Sequence, residues 1–413
     1  MEQIVSRQSH VKLHKQYLYL ILLIVLTSFE YFFRAKNLTL GFYCYVFIDF
    51  LLSYNKGRGY VNIKNCIILA SAISIVSIIQ VIIIEGRTLN NLIGILLSCL
   101  GAISIGFFVR ERFIQIFSRI IFFISAYSLL VYCLCLVPAI YDALFGFAKQ
   151  FTSLNVEKAV MDGGGVNFII YNFQTDFIHD YIGFHRNAGP FWEPGMFAFY
   201  INIALFFELF IHREQYMAIK ILILILALIS TFSTGGYIAG IALIFFFLLN
   251  KSRSIMTWLI FVPVAVISIN YITQLEFVGS KFEGQYNNAE YGSDQTRFGA
   301  FITQLDMIEN SPIIGGELLE NYASTKTLAS GTLLPFVEYG IPIGCLFFLY
   351  LYKACRNMCR LYGSKRAVAV YLYSFIILLS FSQTILLMGI MSTFLYSGLQ
   401  KQIQKNVRNK LSI

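Results

Sequence analysis

The sequence predicts an all-α polytopic membrane protein, a single integral membrane domain over 1–413 with about twelve transmembrane helices and two long outer loops. Three observations lead there. Of 413 residues, 57% are hydrophobic and only 13% charged, against about 25% charged in a soluble domain. Apolar runs of spanning length recur from end to end. Basic residues concentrate in alternate inter-span segments, which is the positive-inside pattern of a multi-pass chain.

In chain order the spans fall at about 16–33, 38–54, 65–84, 91–109, 113–137, 190–211, 217–232, 235–250, 254–274, 331–352, 367–382 and 385–400. The first run is long and no small-residue cleavage site follows it, so it reads as an uncleaved span. The seventh and eighth are short and share the turn Ser233-Thr234-Gly235-Gly236. The last two are also short and divide near Ser382-Gln383-Thr384. Each of these pairs either crosses, tilts or re-enters.

With the N-terminus inside, 22 of the 31 basic residues lie on the inner side. The outer ones are Arg34, Lys36, Arg87, Lys149, Lys158, Arg186, Lys281, Arg297 and Lys326. Both termini then come out cytoplasmic. The same distribution accounts for the net charge of +9, so nucleic acid is not needed to explain it. None of the eight cysteines lies in an outer loop, so no disulfide framework is expected. Cys355 and Cys359 stand one helical turn apart but lack further ligands for a zinc site.

The outer loops run from about 138 to 189 and from about 275 to 330. Loops of this length in a helical bundle usually carry function. The first contains Val166-Asn167-Phe168-Ile169-Ile170-Tyr171, apolar enough to fold back on the membrane surface. In the second, Phe298, Phe301, Ile302, Leu305 and Ile308 have helical spacing, which predicts a short amphipathic helix starting at Arg297 and ended by Pro312. No internal repeat is evident.

Polar chemistry concentrates in Gly183-Phe184-His185-Arg186-Asn187-Ala188-Gly189-Pro190-Phe191-Trp192-Glu193-Pro194-Gly195, just before the sixth span. Pro194 suits the first turn of that helix, and Glu193 falls at or near its N-cap. Phe191 and Trp192 suit a membrane interface. Glu193 therefore reads either as a cap or as a reactive carboxylate. Arg186, beside His185 in a glycine-rich segment, offers the guanidinium suited to diphosphate oxygens. Arg297 either caps its helix with Asp294 or makes a second phosphate or sugar contact facing Arg186. Lys281 and Lys326 are more flexible basic candidates, each equally readable as a solvated lysine. Glu338 lies about two turns into the tenth span, where an acid either lines a cavity or bonds a neighbouring span. Asp49 and Glu208 pose the same choice. GxxxxGK[ST], HExxH and Gly-x-Ser-x-Gly patterns are absent, as is an outer Asp-x-Asp, so metal-independent chemistry without a cofactor is the simpler expectation.

Four segments resemble the O-antigen polymerase/ligase superfamily, and within it the bacterial O-antigen and capsule repeat-unit polymerases of the Wzy type. Arg186 through Ala198 resembles its Arg…Gly…(Trp)-Glu-Pro-Gly segment. Ser230-Thr231-Phe232-Ser233-Thr234-Gly235-Gly236-Tyr237 resembles its Ser-rich turn between short spans. Arg297-Phe298-Gly299 through Ser311-Pro312-Ile313-Ile314-Gly315-Gly316 resembles its Arg…Asn-Pro-x-x-Gly-x-Gly segment. Glu338-Tyr339-Gly340-Ile341-Pro342-Ile343-Gly344 resembles its Gly-Ile/Leu-x-Gly span. The resemblance covers about residues 180–350, in the same order. Two departures stand out. Residues 326–332 lack the His that the superfamily's ligases carry, which favours a polymerase. Gly235-Gly236 stands where many relatives have an Arg.

The resemblance implies a glycosyltransferase C-like fold in the bacterial cytoplasmic (inner) membrane. It implies polymerisation of undecaprenyl diphosphate-linked repeat units into O-antigen or capsular polysaccharide at the outer face. Partners would be the lipid-linked donor and acceptor glycans, membrane lipid, and a flippase and chain-length regulator. Arg186, Arg297, Lys281 and Glu338 would bind substrate, and Glu193 or His185 would serve as base. An O-antigen ligase and a lipid-linked oligosaccharide flippase are the alternatives.

Overall fold

A computed structural model describes residues 13–33, 36–55, 61–150, 166–168, 170–173, 185–212, 217–251, 263, 297–316 and 330–402. Of the described residues 82% are helical, and strands are few. Among the described residues the elements run α1 (Leu13–Ser28), α2 (Glu30–Phe33), α3 (Lys36–Asn55), β1 (Val61–Asn62), α4 (Lys64–Ile83), α5 (Leu89–Val109) and α6 (Phe113–Cys135). Then come α7 (Pro138–Lys149), β2 (Val166–Phe168), β3 (Tyr171–Phe173), α8 (Pro194–Phe206), α9 (Met217–Ser230) and α10 (Thr234–Lys251). The chain continues with α11 (Arg297–Asn310), α12 (Leu334–Leu361), α13 (Arg366–Ser382), α14 (Gly389–Leu399) and β4 (Lys401–Gln402).

Among the described residues six helical stretches are long and apolar enough to cross a membrane, and α1, α9 and α13 are apolar but shorter. One of the six, Leu89–Cys135, is 47 residues long. At 1.5 Å per residue that is about 70 Å, more than twice the hydrocarbon thickness. The 3₁₀ turn Arg110–Arg112 divides it into α5 and α6, and three consecutive charged residues mark a place where the chain leaves the apolar layer. The expected ninth span at 254–274 lies, but for residue 263, outside the described residues.

The bundle is built around α8. All 13 of its residues are buried. By contrast only 17% of the window is buried in α10, and 22% in α3. Their outward faces carry large exposed hydrophobics, among them Ile48 of α3 and Ile244 of α10, an arrangement suited to lipid rather than water. A turn of π-helix, Phe207–Ile211, extends α8. Its one polar residue, Asn202, donates to the Ala198 carbonyl (2.9 Å) and to the Gly236 carbonyl of α10 (3.1 Å), so no amide donor is stranded in the core. A Cβ on Gly236 would stand 2.6 Å from that of Ala198. The glycine at this turn therefore serves close helix packing, the usual use of small residues in membranes.

Segments assigned by charge to the same side meet. Among the segments expected on the inner side, β1 pairs antiparallel with β4, Tyr362 donates to the Glu111 carbonyl and Ser364 to the Phe210 carbonyl. Asp49 receives Tyr19 (2.7 Å) and pairs with Lys15, and Glu208 lies 3.9 Å from Lys220. These two acids are thus held by neighbouring cations.

Candidate functional site

The polar stretch ahead of α8 is pinned from three directions. First, the turn between α9 and α10 holds it. The Asn187 amide N–H donates to the Ser230 carbonyl (2.9 Å), and its side-chain Nδ2 to Ser230 Oγ (2.9 Å). Arg186 Nε donates to the Thr231 carbonyl (3.3 Å). Two segments singled out in sequence thereby form one structure. Second, the first outer loop folds over the stretch as a β2–β3 hairpin rather than a featureless apolar patch. The backbone N–H of buried Asn172 donates to the Gly189 carbonyl (2.7 Å), and its side chain donates to the carbonyls of Phe191 (2.9 Å) and Trp192 (3.3 Å). Third, the Glu30 N–H donates to the Pro190 carbonyl (3.0 Å). Gly189 has φ +54° and accommodates the turn this requires.

His185 is half-buried, and its ring stacks on Tyr141 of α7 with centroids 3.8 Å apart and planes 5° from parallel. Burial pushes the Tyr141 hydroxyl up to about 12, so the stacking partner is a neutral phenol at ordinary pH. Phe191, expected at the interface, is instead fully buried. Its ring stacks on Tyr200 (4.7 Å) and Phe197 (5.3 Å) of α8. The physical reason is that α8 lies inside the bundle, so the residues leading into it meet protein rather than headgroups. Trp192 is partly buried against the same core.

Pro194 occupies the first turn of α8 and Glu193 its N-cap position, as the sequence suggests. The Glu193 carboxylate makes no capping hydrogen bond, however. Across from it lies Gln383, in the break between α13 and α14. A Cβ on Gly195 would sit 2.4 Å from Gln383 Nε2 and 3.7 Å from Glu193 Oε1. A Cβ on Gly331 would meet the Gln383 backbone carbonyl at 2.4 Å. Two glycines from distant parts of the chain thus make room for one glutamine. Nothing in the sequence marked Gln383 beyond its place in a split pair of short spans.

The second outer loop reaches the same region. The expected helix forms, as α11 from Arg297 to Asn310, but it turns Ala300, Gln304 and Met307 inward and leaves Ile302 and Leu305 of the expected apolar face exposed. Buried Gln304 donates to the Ser330 carbonyl (2.6 Å), and Phe301 packs on Phe381 of α13. The following turn docks on α12, which breaks at Gly340 (φ +77°). There the Ile341 N–H donates to the Pro312 carbonyl (2.7 Å), and the Gly316 N–H to the Val337 carbonyl (2.8 Å). Gln80 of α4 clamps both sides, donating to the carbonyls of Ile314 (2.8 Å) and Glu338 (2.7 Å). Glu338 pairs with Arg87 at 2.8 Å, the arginine side chain 3% exposed. Glu338 is thus tied to the turn after α4, a role the sequence left open, and Arg87 was not foreseen as its partner. Arg297 heads α11, but its side chain lies outside the described residues, as do Lys281 and Lys326 entirely; the expected facing of Arg297 and Arg186 lies there too.

No family model, curated protein or solved structure matches the chain.

One further feature adjoins the stretch. A cavity of about 510 Å³ opens between α1 and α6, lined by Tyr17, Ile21, Ile24, Val25 and Phe29 on one side and Ile120, Phe123, Ile124 and Tyr127 on the other. Its walls are almost wholly apolar, and it ends against Ile170 and Pro190. From Tyr17 to Phe29 it follows α1 for about 18 Å at 1.5 Å per residue. At the far end from Pro190, Arg119 donates to the Tyr17 hydroxyl (3.0 Å).

Proposed function

We propose that this protein is a metal-independent membrane glycosyltransferase that polymerises undecaprenyl diphosphate-linked repeat units into O-antigen or capsular polysaccharide, at the outer face of the bacterial cytoplasmic membrane. One observation carries the reading: the stretch bearing His185, Arg186 and Glu193 adjoins, at Pro190, an apolar cavity running along α1. A polar stretch that meets a long apolar cavity at Pro190 suits a substrate with a sugar diphosphate head and a prenyl tail. The four sequence segments support the same reading, and two of them interlock at Arg186–Thr231.

In this reaction the acceptor hydroxyl at the non-reducing end of a new lipid-linked unit attacks the anomeric carbon of the donor glycan. The carbon–oxygen bond to the donor's diphosphate breaks, and undecaprenyl diphosphate departs with the electron pair. Arg186 stabilises the charge growing on that leaving group, with Arg297 as the second arginine supplied by the outer loop. The acceptor proton passes to Glu193, whose carboxylate is not spent on capping its own helix. His185, fixed by its stack on Tyr141, is the other base within the stretch.

The test is a gel of surface glycan from cells carrying Arg186→Ala. A polymerase defect leaves single repeat units attached to core. Polymer accumulating on lipid with bare core would indicate a ligase, and material trapped inside the cell a flippase. An unchanged full-length ladder removes Arg186 from the site.

A further inference from the structure

We infer that Gln383 and Glu193 together form a sugar-hydroxyl subsite, which takes the non-reducing end of the acceptor glycan. This rests on the polymerase reading and names the part of the substrate bound there. Gln383 is 5% exposed. Among the described residues its side-chain amide has no hydrogen-bond partner, nor does the Glu193 carboxylate. Most of the side chain is buried, yet its amide atoms are not among the fully enclosed polar atoms left without a partner, so the amide reaches open space where a ligand can meet it. The fold makes space for it: Gly195 leaves room for the amide, and Gly331 for the backbone behind it. Those two glycines and Gln383 come from three separate stretches of the chain, so the pocket is assembled rather than local.

The chemistry of the pair selects the ligand. A carboxylate only accepts, whereas an amide both donates and accepts. Side by side they match adjacent sugar hydroxyls, which donate to the carboxylate and accept from the amide. The same carboxylate repels phosphate, which leaves the diphosphate to Arg186 seven residues earlier and the neutral sugar to this end.

Gln383→Met conserves volume and removes the amide. Gly195→Ala leaves Gln383 in place but drives its flexible amide aside. Purified wild-type and variant proteins would be assayed for chain extension with lipid-linked repeat unit extracted from cells lacking the protein, alongside thermal melting. The expected result for both variants is an acceptor KM raised about tenfold, the loss of one hydrogen bond worth about 1.4 kcal/mol. kcat should stay within about threefold, and the melting temperature should not fall, since no intramolecular bond is lost. A structural glutamine would instead lower the melting temperature and reduce activity in step with folded protein. Either that outcome or an unchanged KM in both variants overturns the subsite. If the wild-type protein extends chains and both variants match it, the subsite falls alone. If the wild-type protein extends nothing, the polymerase reading falls and the subsite with it.

Discussion

At the residue scale, the pair that best separates structural from chemical roles is Arg87–Glu338. Both side chains are largely buried, and the ion pair ties the turn after α4 to the broken part of α12. Breaking one partner of such a pair is costly, because the other charge is left without compensation. Arg87→Ala should therefore destabilise the protein by about 3 kcal/mol. The double change Arg87→Gln with Glu338→Gln should recover most of that, read as melting temperature in detergent. If the double change is as unstable as the single one, the pair is not what holds this junction. Sequence reasoning found Glu338 because an acid inside an apolar span is conspicuous. It missed Arg87 because an arginine in a short outer turn looks like any solvated charge, and the pairing spans 251 positions of chain. Glu193 shows the reverse. Its N-cap position was legible from Pro194, but that its carboxylate leaves the cap unmade depends on three-dimensional placement.

Among the elements, α12 is the most constrained. Its break at Gly340 has φ +77° and ψ 169°, a conformation open in practice only to glycine. A Cβ there would meet the Ile313 backbone carbonyl at 2.2 Å, and backbone cannot step aside as a side-chain tip can. Gly340→Ala should destabilise by at least about 2 kcal/mol and uncouple the 312–316 turn from α12. Increased hydrogen exchange at Gly316 and Ile341, whose amides make the cross-bonds, would show this, and unchanged protection there would refute it. That α11 is a helix was legible from spacing, but not which face it buries: Ala300, Gln304 and Met307 are buried, while Ile302 and Leu305 of the expected apolar stripe are exposed. The β2–β3 hairpin was not legible, because two three-residue strands carry too little alternation to distinguish them from any apolar loop.

For the whole molecule, a helical membrane fold follows from composition and periodicity, and the charge pattern sorts the loops into two sets that the structure brings together set by set. What sequence could not supply was which span is central. α8 is only slightly more apolar than α10 and less so than the stretch holding α6, and it is the packing of α6, α9, α10 and α13 around it that buries it. That centrality matters for function. It sets the His185–Glu193 stretch at the entrance of the most enclosed helix, with the outer hairpin above and the apolar cavity beside it. The polymerase proposed above would use that combination, its glycan at the polar stretch and its lipid tail in the apolar cavity. The most direct measurement is made on the purified protein in lipid nanodiscs, supplied only with undecaprenyl diphosphate-linked repeat unit and no added metal or nucleotide. Glycans of two and more units on lipid, with one undecaprenyl diphosphate released per linkage and none formed by Arg186→Ala, are expected. Repeat units that remain single in the presence of folded wild-type protein would contradict the assignment.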